Sequence, residues 1–508
     1  MPVPPTGRIP FDAWRLSRRG FLAAAIAGGF ALTAGTQQCR DSTSTGGAGP
    51  AAIRPGTRHQ HPGQGAIPHS SNIEARAASE FPRLAGYLIG ASQGSTNPNQ
   101  PAFQQAIGTT LDLAILGLWY GWTTDYNTTY QQVASQIKAH NPSILLGNYT
   151  LNQACPDNAS SPQYGYLYTK CSSQVGPNGV GDWFLYLANG QHSTNNGDDA
   201  AGYWDVNLTN LGTPDASGYT FMQWKAHDDS TRLFPPAGEG FDIWFSDNLW
   251  YQCGAAVDFD RTGTNQAVGS AQGRTWWREG NQTYLQLARS IRPDLMLVVN
   301  PDNDLGSGTY PPNKEDVFTH YGHGSPYISG AIMEAVIGES SWSCESLYSW
   351  PTIISWYQTM LTNLAPPQII VFNIHMTANG TSDYQTMRYG FATCLVAGDG
   401  YFSISENGDY CDLLVYDEFT AGTGSNKWLG TPIDPPQTAA WSNGVWRRRF
   451  TGGVVLCNPP GNGSQTVNPG PGYTRFSGSQ APSINNGAAV TGTVTLADRD
   501  GLFLVGVP

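Results

Sequence analysis

Apolar residues recur along this chain in one order. Three times a stretch with apolar positions at helical spacing ends at a proline, a short β-rich apolar run follows, and the run closes on asparagine. The three runs are Asn141-Pro142 to Asn148, Arg292-Pro293 to Asn300 and Pro366-Pro367 to Asn373. The preceding helices carry Tyr130, Val133 and Ile137, then Trp277, Tyr284, Leu287 and Ile291, then Ile353, Tyr357, Met360 and Leu364. Proline ends each helix because it cannot continue one, and an uninterrupted apolar run is what a strand buried on both faces requires.

Further runs at 83–90, 111–118, 241–245, 328–336 and 400–405 bring the expected strands to eight between residues 81 and 415. Strands alternating with helices predict an α/β fold, a (β/α)8 TIM barrel, longer than the usual ~250 residues. The excess falls in one polar insert, 151–240, between the third and fourth strands. An open doubly wound sheet is the competitor, but Gly90-Ala91-Ser92-Gln93-Gly94 does not supply its nucleotide-binding turn. After Asp417-Glu418 the texture changes to short β-rich runs at 444–450, 454–457, 490–496 and 502–505 separated by Gly, Pro and Asn. These predict a small C-terminal antiparallel β-sandwich domain.

The N-terminus reads differently. Arg18-Arg19, Phe21-Leu22 and a short small-apolar run to Ala34 have the pattern of a twin-arginine export signal. Residues 36–80, rich in Gly, Pro, Ser and Thr, read as a linker. The expected layout is therefore a signal peptide over 1–35, a disordered linker over 36–80, a catalytic barrel over 81–420 and a β domain over 421–508. The product is expected outside the cytoplasm, with no membrane attachment after cleavage and as a monomer. Export permits disulfides, and among the eight cysteines Cys155 and Cys171 share the insert and are the expected bridge, with Cys253 and Cys344 a weaker second guess. Cys394, on an apolar helical face, reads as a buried thiol. No cysteine pair or histidine spacing suits a metal, and no cofactor is expected.

Composition narrows the partner. Charged residues are 13% of the chain and the net charge is −12. An acidic chain does not bind nucleic acid through neutralised phosphates. The polar character comes from hydroxyls and amides, accompanied by 16 Trp, 24 Tyr and 19 Phe. Such a surface suits sugars, whose hydroxyls take hydrogen bonds and whose C–H faces stack on rings.

In a barrel the site lies at the C-terminal strand ends. Strand four ends in Asp247 and strand six in Glu334, and two facing carboxylates are what glycosidic bond cleavage needs. Asn148, Asn300 and Asn373, with His375, place amides and an imidazole on the same rim. Rings at that level are Tyr87, Trp119, Tyr120, Trp122, Tyr149 and Trp250, of which Tyr149 is the first to be read as packing. Asp302 and Asp304 follow strand five in a polar loop, while Asp242, at the start of strand four, is read as structural. The candidate catalytic pair is Asp247 and Glu334. The candidate substrate-binding set is Tyr87, Trp119, Asp205, Asn248, Trp250, Asn300, Asp302, Asn373 and His375.

The segments "GFDIWFSDNLW" (240–250), "AIMEAVIG" (331–338), "GYFSIS" (400–405) and "VYDEF" (415–419), with the ending "GVVLCNPP…VTLADRDGLFLV", together resemble the hypothetical glycosyl hydrolase family 15. "DWFLYLANG" (182–190) and "YWDVNLTN" (203–210) are similar to that family's segments before the fourth strand. The resemblance implies a barrel with an appended β domain and a two-carboxylate hydrolytic site at Asp247 and Glu334. The strand positions also resemble the α-galactosidase clan, with a strand-four nucleophile and a strand-six acid/base, although that clan has Asp where this chain has Glu334. By that likeness Asp247 is expected as nucleophile and Glu334 as acid/base in a retaining reaction on a poly- or oligosaccharide. The alternative is a carbohydrate-binding protein without turnover. A serine hydrolase is disfavoured because no G-x-S-x-G elbow follows a strand.

Overall fold

The structure, a computed structural model, describes residues 80–506 except 91–96, 119–125, 162–163, 178, 195–201, 236–239, 251, 302–326, 339–342, 377–381 and 407–409. Eight parallel strands form one sheet in sequence order. They are β1 (Ala85–Leu88), β2 (Leu113–Leu116), β3 (Leu145–Leu151), β4 (Ile243–Asp247), β5 (Met296–Val299), β6 (Gly330–Met333), β7 (Ile369–Met376) and β8 (Tyr401–Glu406). A parallel bridge between Leu84 and Phe402, with the Phe402 N–H donating to the Arg83 carbonyl at 2.8 Å, joins the two edges and all but closes the barrel. Each strand overlaps one of the eight windows expected from the apolar runs, with β3, β4, β7 and β8 running one to three residues past theirs.

The wall helices are α1 (Pro101–Thr110), α2 (Tyr130–His140), α3 (Phe221–Arg232), α4 (Ala271–Ile291), α5 (Trp350–Asn363) and α6 (Tyr384–Ala397). Their starts are written locally. Thr129 and Gln132 form a reciprocal capping box on α2, and the Ser270 hydroxyl accepts from Gly273 N–H on α4. At the bottom of the barrel, aspartates just ahead of β2 and β4 do a similar job. Asp112 accepts the Leu84 N–H at 2.9 Å and pairs with Lys427 at 2.6 Å; Asp242 accepts the Leu146 N–H at 3.0 Å and pairs with Lys138 at 3.0 Å.

The insert between β3 and β4 contributes α3 to the wall. It also carries a helix over Gly165–Ser173, and an antiparallel pair in which Ala154–Pro156 meets Tyr203–Asp205. It is packed tightly against α4. A methyl group on Gly280 would lie 1.7 Å from the Leu208 carbonyl oxygen, so only glycine fits there. Behind β3 and β4 lies a buried polar cluster. Lys225 on α3 donates to Thr150 at 2.6 Å and to Asp229 at 2.5 and 2.6 Å, and Asp229 also accepts from Thr150 and from the Tyr284 hydroxyl.

The C-terminal region holds two small antiparallel sheets. One has the order β9–β10–β14–β12, from Trp446–Phe450, Gly453–Asn458, Asp500–Val505 and Thr474–Arg475; the other pairs β11 (Gln465–Val467) with β13 (Val494–Leu496). Alternation divides the larger sheet's side chains. Val454, Leu456, Leu502 and Leu504 join Val467, Val494 and Leu496 in a separate apolar cluster, while Val455, Cys457 and Phe503 face the barrel and join its core. Between sheet and barrel lies α6, on which every residue from Thr386 to Ala397 is buried. Phe391 touches Phe402 of the barrel at 4.7 Å and Phe503 of the sheet at 5.0 Å. Gly501 passes so near α6 that a Cβ would come within 2.2 Å of the Arg388 carbonyl oxygen.

All seven described cysteines are free thiols. Cys155 and Cys171, expected to be bridged, are neighbouring buried thiols with no bond between them, and Cys253 and Cys344 are free buried thiols as well. Burial pushes the Cys394 thiol up to about 12, in keeping with the inert buried role read from its helical face.

Candidate active site

Strand alternation decides which residues reach the barrel interior. On β4, Phe245 and Asp247 point inward and Trp244 and Ser246 outward. Phe245 meets the inward rings of Tyr87 at 5.4 Å and Tyr149 at 6.0 Å, whereas Trp244 donates to the Tyr284 hydroxyl on α4 at 2.9 Å. The same rule brings Asn300, just past β5, and Glu334, just past β6, to the axis beside Asp247.

These residues form one hydrogen-bonded chain. The Tyr149 hydroxyl donates to Asp247 Oδ2 at 2.6 Å. Asn300 Nδ2 donates to Asp247 Oδ1 at 2.9 Å and to Glu334 Oε2 at 2.7 Å. The Tyr410 hydroxyl donates to Glu334 Oε1 and stands 3.4 Å from His375 Nε2. The two oxygens that share Asn300 can be no further apart than these two bonds laid end to end, 5.6 Å. With each amide hydrogen serving one carboxylate, the expected separation is about 4.9 Å. Asp247 is 1% exposed and Glu334 2%. Burial, followed by the Asp247 charge, holds the Tyr149 phenol well above its ordinary range, so it remains a donor. The chain is thus a pair of acids at contact range, each of whose oxygens accepts from a protein donor.

The neighbouring candidates divide into two groups. Asn373 is inside the barrel, donating to Ser403 at 3.1 Å and Ser405 at 3.0 Å and accepting the Ala335 N–H at 3.3 Å, which braces the turn after Glu334. His375, two residues on, shares its face. Asn248 adopts a left-handed backbone (φ 53°) that turns the chain directly after Asp247. Tyr87 is enclosed rather than presented as a platform, with its ring 4.9 Å from Tyr410. Trp250 is half-buried at the rim, its carbonyl held by Trp277 at 3.0 Å and Asn281 at 2.9 Å. Asp205 sits in the insert, accepting from the Ser193 hydroxyl at 2.5 Å and pairing with Ala154. Trp119, Tyr120, Trp122, Asp302 and Asp304 lie outside the described residues.

Three readings change. Asn148, expected at the rim, points outward and ties the Leu118 backbone through bonds of 2.9 and 3.0 Å. Tyr149, read as packing, is the direct partner of Asp247. Tyr410 is not among the sequence candidates: it lies four residues beyond β8, with no periodic signal, and only the return of the chain over the barrel brings it to Glu334. Asp242 is at the barrel bottom, as expected.

No curated protein matches the chain in sequence. Among solved structures, the likenesses are remote. The glycoside hydrolase domain of PelA from Pseudomonas aeruginosa is 11% identical, covering 66% of this chain and 98% of that one at a TM-score of 0.37. The alpha-galactosidase from Lactobacillus brevis is 10% identical, over 86% of this chain and 56% of that one, at 0.42. A cycloalternan-degrading enzyme from Trueperella pyogenes is 11% identical, over 86% and 64%, at 0.41. One family matches directly, over residues 257–454, a span that takes in Asn300, Glu334, His375 and Tyr410 and begins after Asp247. Over that span the chain is similar to the hypothetical glycosyl hydrolase family 15, and the enzyme class that the match supports is a glycoside hydrolase.

Proposed function

We propose that the chain is an exported glycoside hydrolase that cleaves a poly- or oligosaccharide with retention, Asp247 acting as nucleophile and Glu334 as acid/base. The observation that carries this reading is the shared donor: it holds one oxygen of each carboxylate within 5.6 Å of the other, near the about 5–5.5 Å at which retaining enzymes hold their two acids. In the first step an Asp247 oxygen forms a bond to the anomeric carbon while the bond to the leaving oxygen breaks and takes the Glu334 proton. In the second, Glu334 removes a proton from water, which displaces Asp247. Tyr149 and Asn300 donate to the two Asp247 oxygens and so orient the carboxylate read as the nucleophile. The twin-arginine pattern supports export, and the two C-terminal sheets, sharing one apolar cluster, are read as a rudimentary sandwich.

The experiment is digestion of plant, fungal and bacterial cell-wall glycans by the protein beside Asp247→Asn and Glu334→Gln, followed by NMR of the first anomer released. Cleavage by the unaltered protein, lost in both variants, with the anomer retained, is expected; an inverted anomer refutes retention. One observation favours the second reading, sugar binding without turnover: every oxygen of the two carboxylates already holds a protein donor. Glycan binding that survives in Glu334→Gln with no product from any substrate would select it.

A further inference from the structure

The two ends of the hydrogen-bonded chain differ. At the Asp247 end stands Tyr149, a phenol whose ring packs on Phe245 at 6.0 Å. At the Glu334 end, Tyr410 is followed by an imidazole, His375 Nε2, 3.4 Å from the same hydroxyl oxygen that donates to Glu334. A hydroxyl has one hydrogen and two acceptor sites, so it serves one of these neighbours as donor at a time.

We infer that Tyr410 is a reversible positioning residue, whose hydroxyl turns between Glu334 and His375 as Glu334 loses and gains its proton. With Glu334 ionised, Tyr410 donates to Oε1, as observed, and the 3.4 Å separation from His375 is that of a weak contact. With Glu334 protonated on Oε1, the carboxyl O–H donates to the Tyr410 oxygen, and the phenol hydrogen turns to Nε2 of neutral His375. The only proton exchanged with the surroundings is the one Glu334 itself gains or loses; within the three groups one hydrogen bond reverses, between Tyr410 and Glu334, and one, from Tyr410 to Nε2, is made. Tyr410 therefore stabilises the anion, and His375, acting through it, stabilises the acid. The main chain of His375 is held firmly by its neighbours. The His375 backbone N–H donates to the Ile337 carbonyl at 2.9 Å, and Gly338, at φ 141°, lies so close that a Cβ would come within 2.0 Å of the His375 carbonyl oxygen.

Among the described residues, the titratable groups around the pair are Asp247 from β4 across Asn300, Tyr149 from β3 behind Asp247, Tyr87 from β1 against the Tyr410 ring, Cys411 beside Tyr410, and Glu406 on β8. Tyr87 touches only the Tyr410 ring, which Tyr410→Phe keeps, so that substitution leaves this contact in place.

This inference rests on Glu334 being the acid/base, but its test needs no substrate. The carboxyl of Glu334 is titrated by infrared difference spectroscopy on full-length protein, its band identified by disappearance in Glu334→Gln. Tyr410→Phe removes the donor to the anion and should raise the pH at which Glu334 ionises by about one pH unit or more. His375→Leu removes the acceptor that the protonated state uses and should lower it by a similar amount, while His375→Gln, which keeps a carbonyl acceptor, should restore most of the shift. Circular dichroism and melting identify any variant that fails to fold, in which case Tyr410→Phe and His375→Gln carry the comparison. Shifts in the same direction, or none, overturn the inference. Opposite shifts without cleavage of any glycan leave it standing and remove the hydrolase reading; cleavage lost in Glu334→Gln with an unmoved titration does the reverse.

Discussion

Asp247 and Glu334 meet through a single nitrogen, Nδ2 of Asn300, which donates to both at 2.9 and 2.7 Å. Two buried carboxylates at this range repel unless a donor lies between them. Asn300→Ala should lower turnover about 10²–10³-fold, the usual effect of removing a donor aimed at changing charge, with a smaller loss of stability. Steady-state kinetics beside thermal melts separate the two. Unchanged turnover would show that the amide is a bystander.

Tyr149 makes a bond to a charged acceptor, worth about 1.5–3 kcal/mol. Tyr149→Phe keeps the ring on Phe245 and deletes only the hydroxyl, so kcat should fall about ten- to a hundredfold by that energy. KM should change little. A large change in KM with kcat intact would place Tyr149 in substrate binding instead.

The Lys225–Asp229 pair, with side chains 1% and 0% exposed, lies behind β3 and β4. Lys225→Met leaves Asp229 buried and uncompensated and should cost about 3–5 kcal/mol of stability. The double variant Lys225→Met, Asp229→Leu should recover most of it, because two charges then leave the interior together. Denaturant titrations of the single and double variants measure this coupling.

Alkaline pH should loosen the fold. Burial, the largest cause in each case, pushes the phenols of Tyr149, Tyr284, Tyr357 and Tyr389 well above their usual range. In the unfolded chain they ionise near about 10; folded, they keep their protons to higher pH. Their contribution is complete below the unfolded value and is lost as pH rises through it toward the folded ones. Unfolding free energy followed from pH 8 upward should therefore fall beyond about 10, and Tyr357→Phe should flatten that slope.

The barrel is legible in the sequence because its strands are buried on both faces and stop at polar residues, a pattern carried by composition over short windows. The carboxylate pair is legible for the same reason, since each acid closes such a run. Short windows do not sort neighbours on one strand by side. Asn148 and Tyr149 both read as rim residues, yet adjacent strand residues face opposite ways, and the inward one, Tyr149, reaches Asp247. Asn373 and His375, two apart, share a face, so the pattern places them together. Tyr410 is illegible because its place depends on how the chain returns after β8, which no local spacing records.

A wall helix with no side toward water has an ancestral consequence. In α6 the face that another barrel would leave to solvent is occupied by Phe503, Gly501 and Cys457, the last within 3.5 Å of Thr393. Its sequence is committed to a neighbour encoded about a hundred positions later. A gene that lost the last two strands would leave a greasy helix exposed, and one that gained a different C-terminal module would have no polar face to offer it. The barrel and its appendage are thus inherited as one piece, and recombination that separates them should yield insoluble protein.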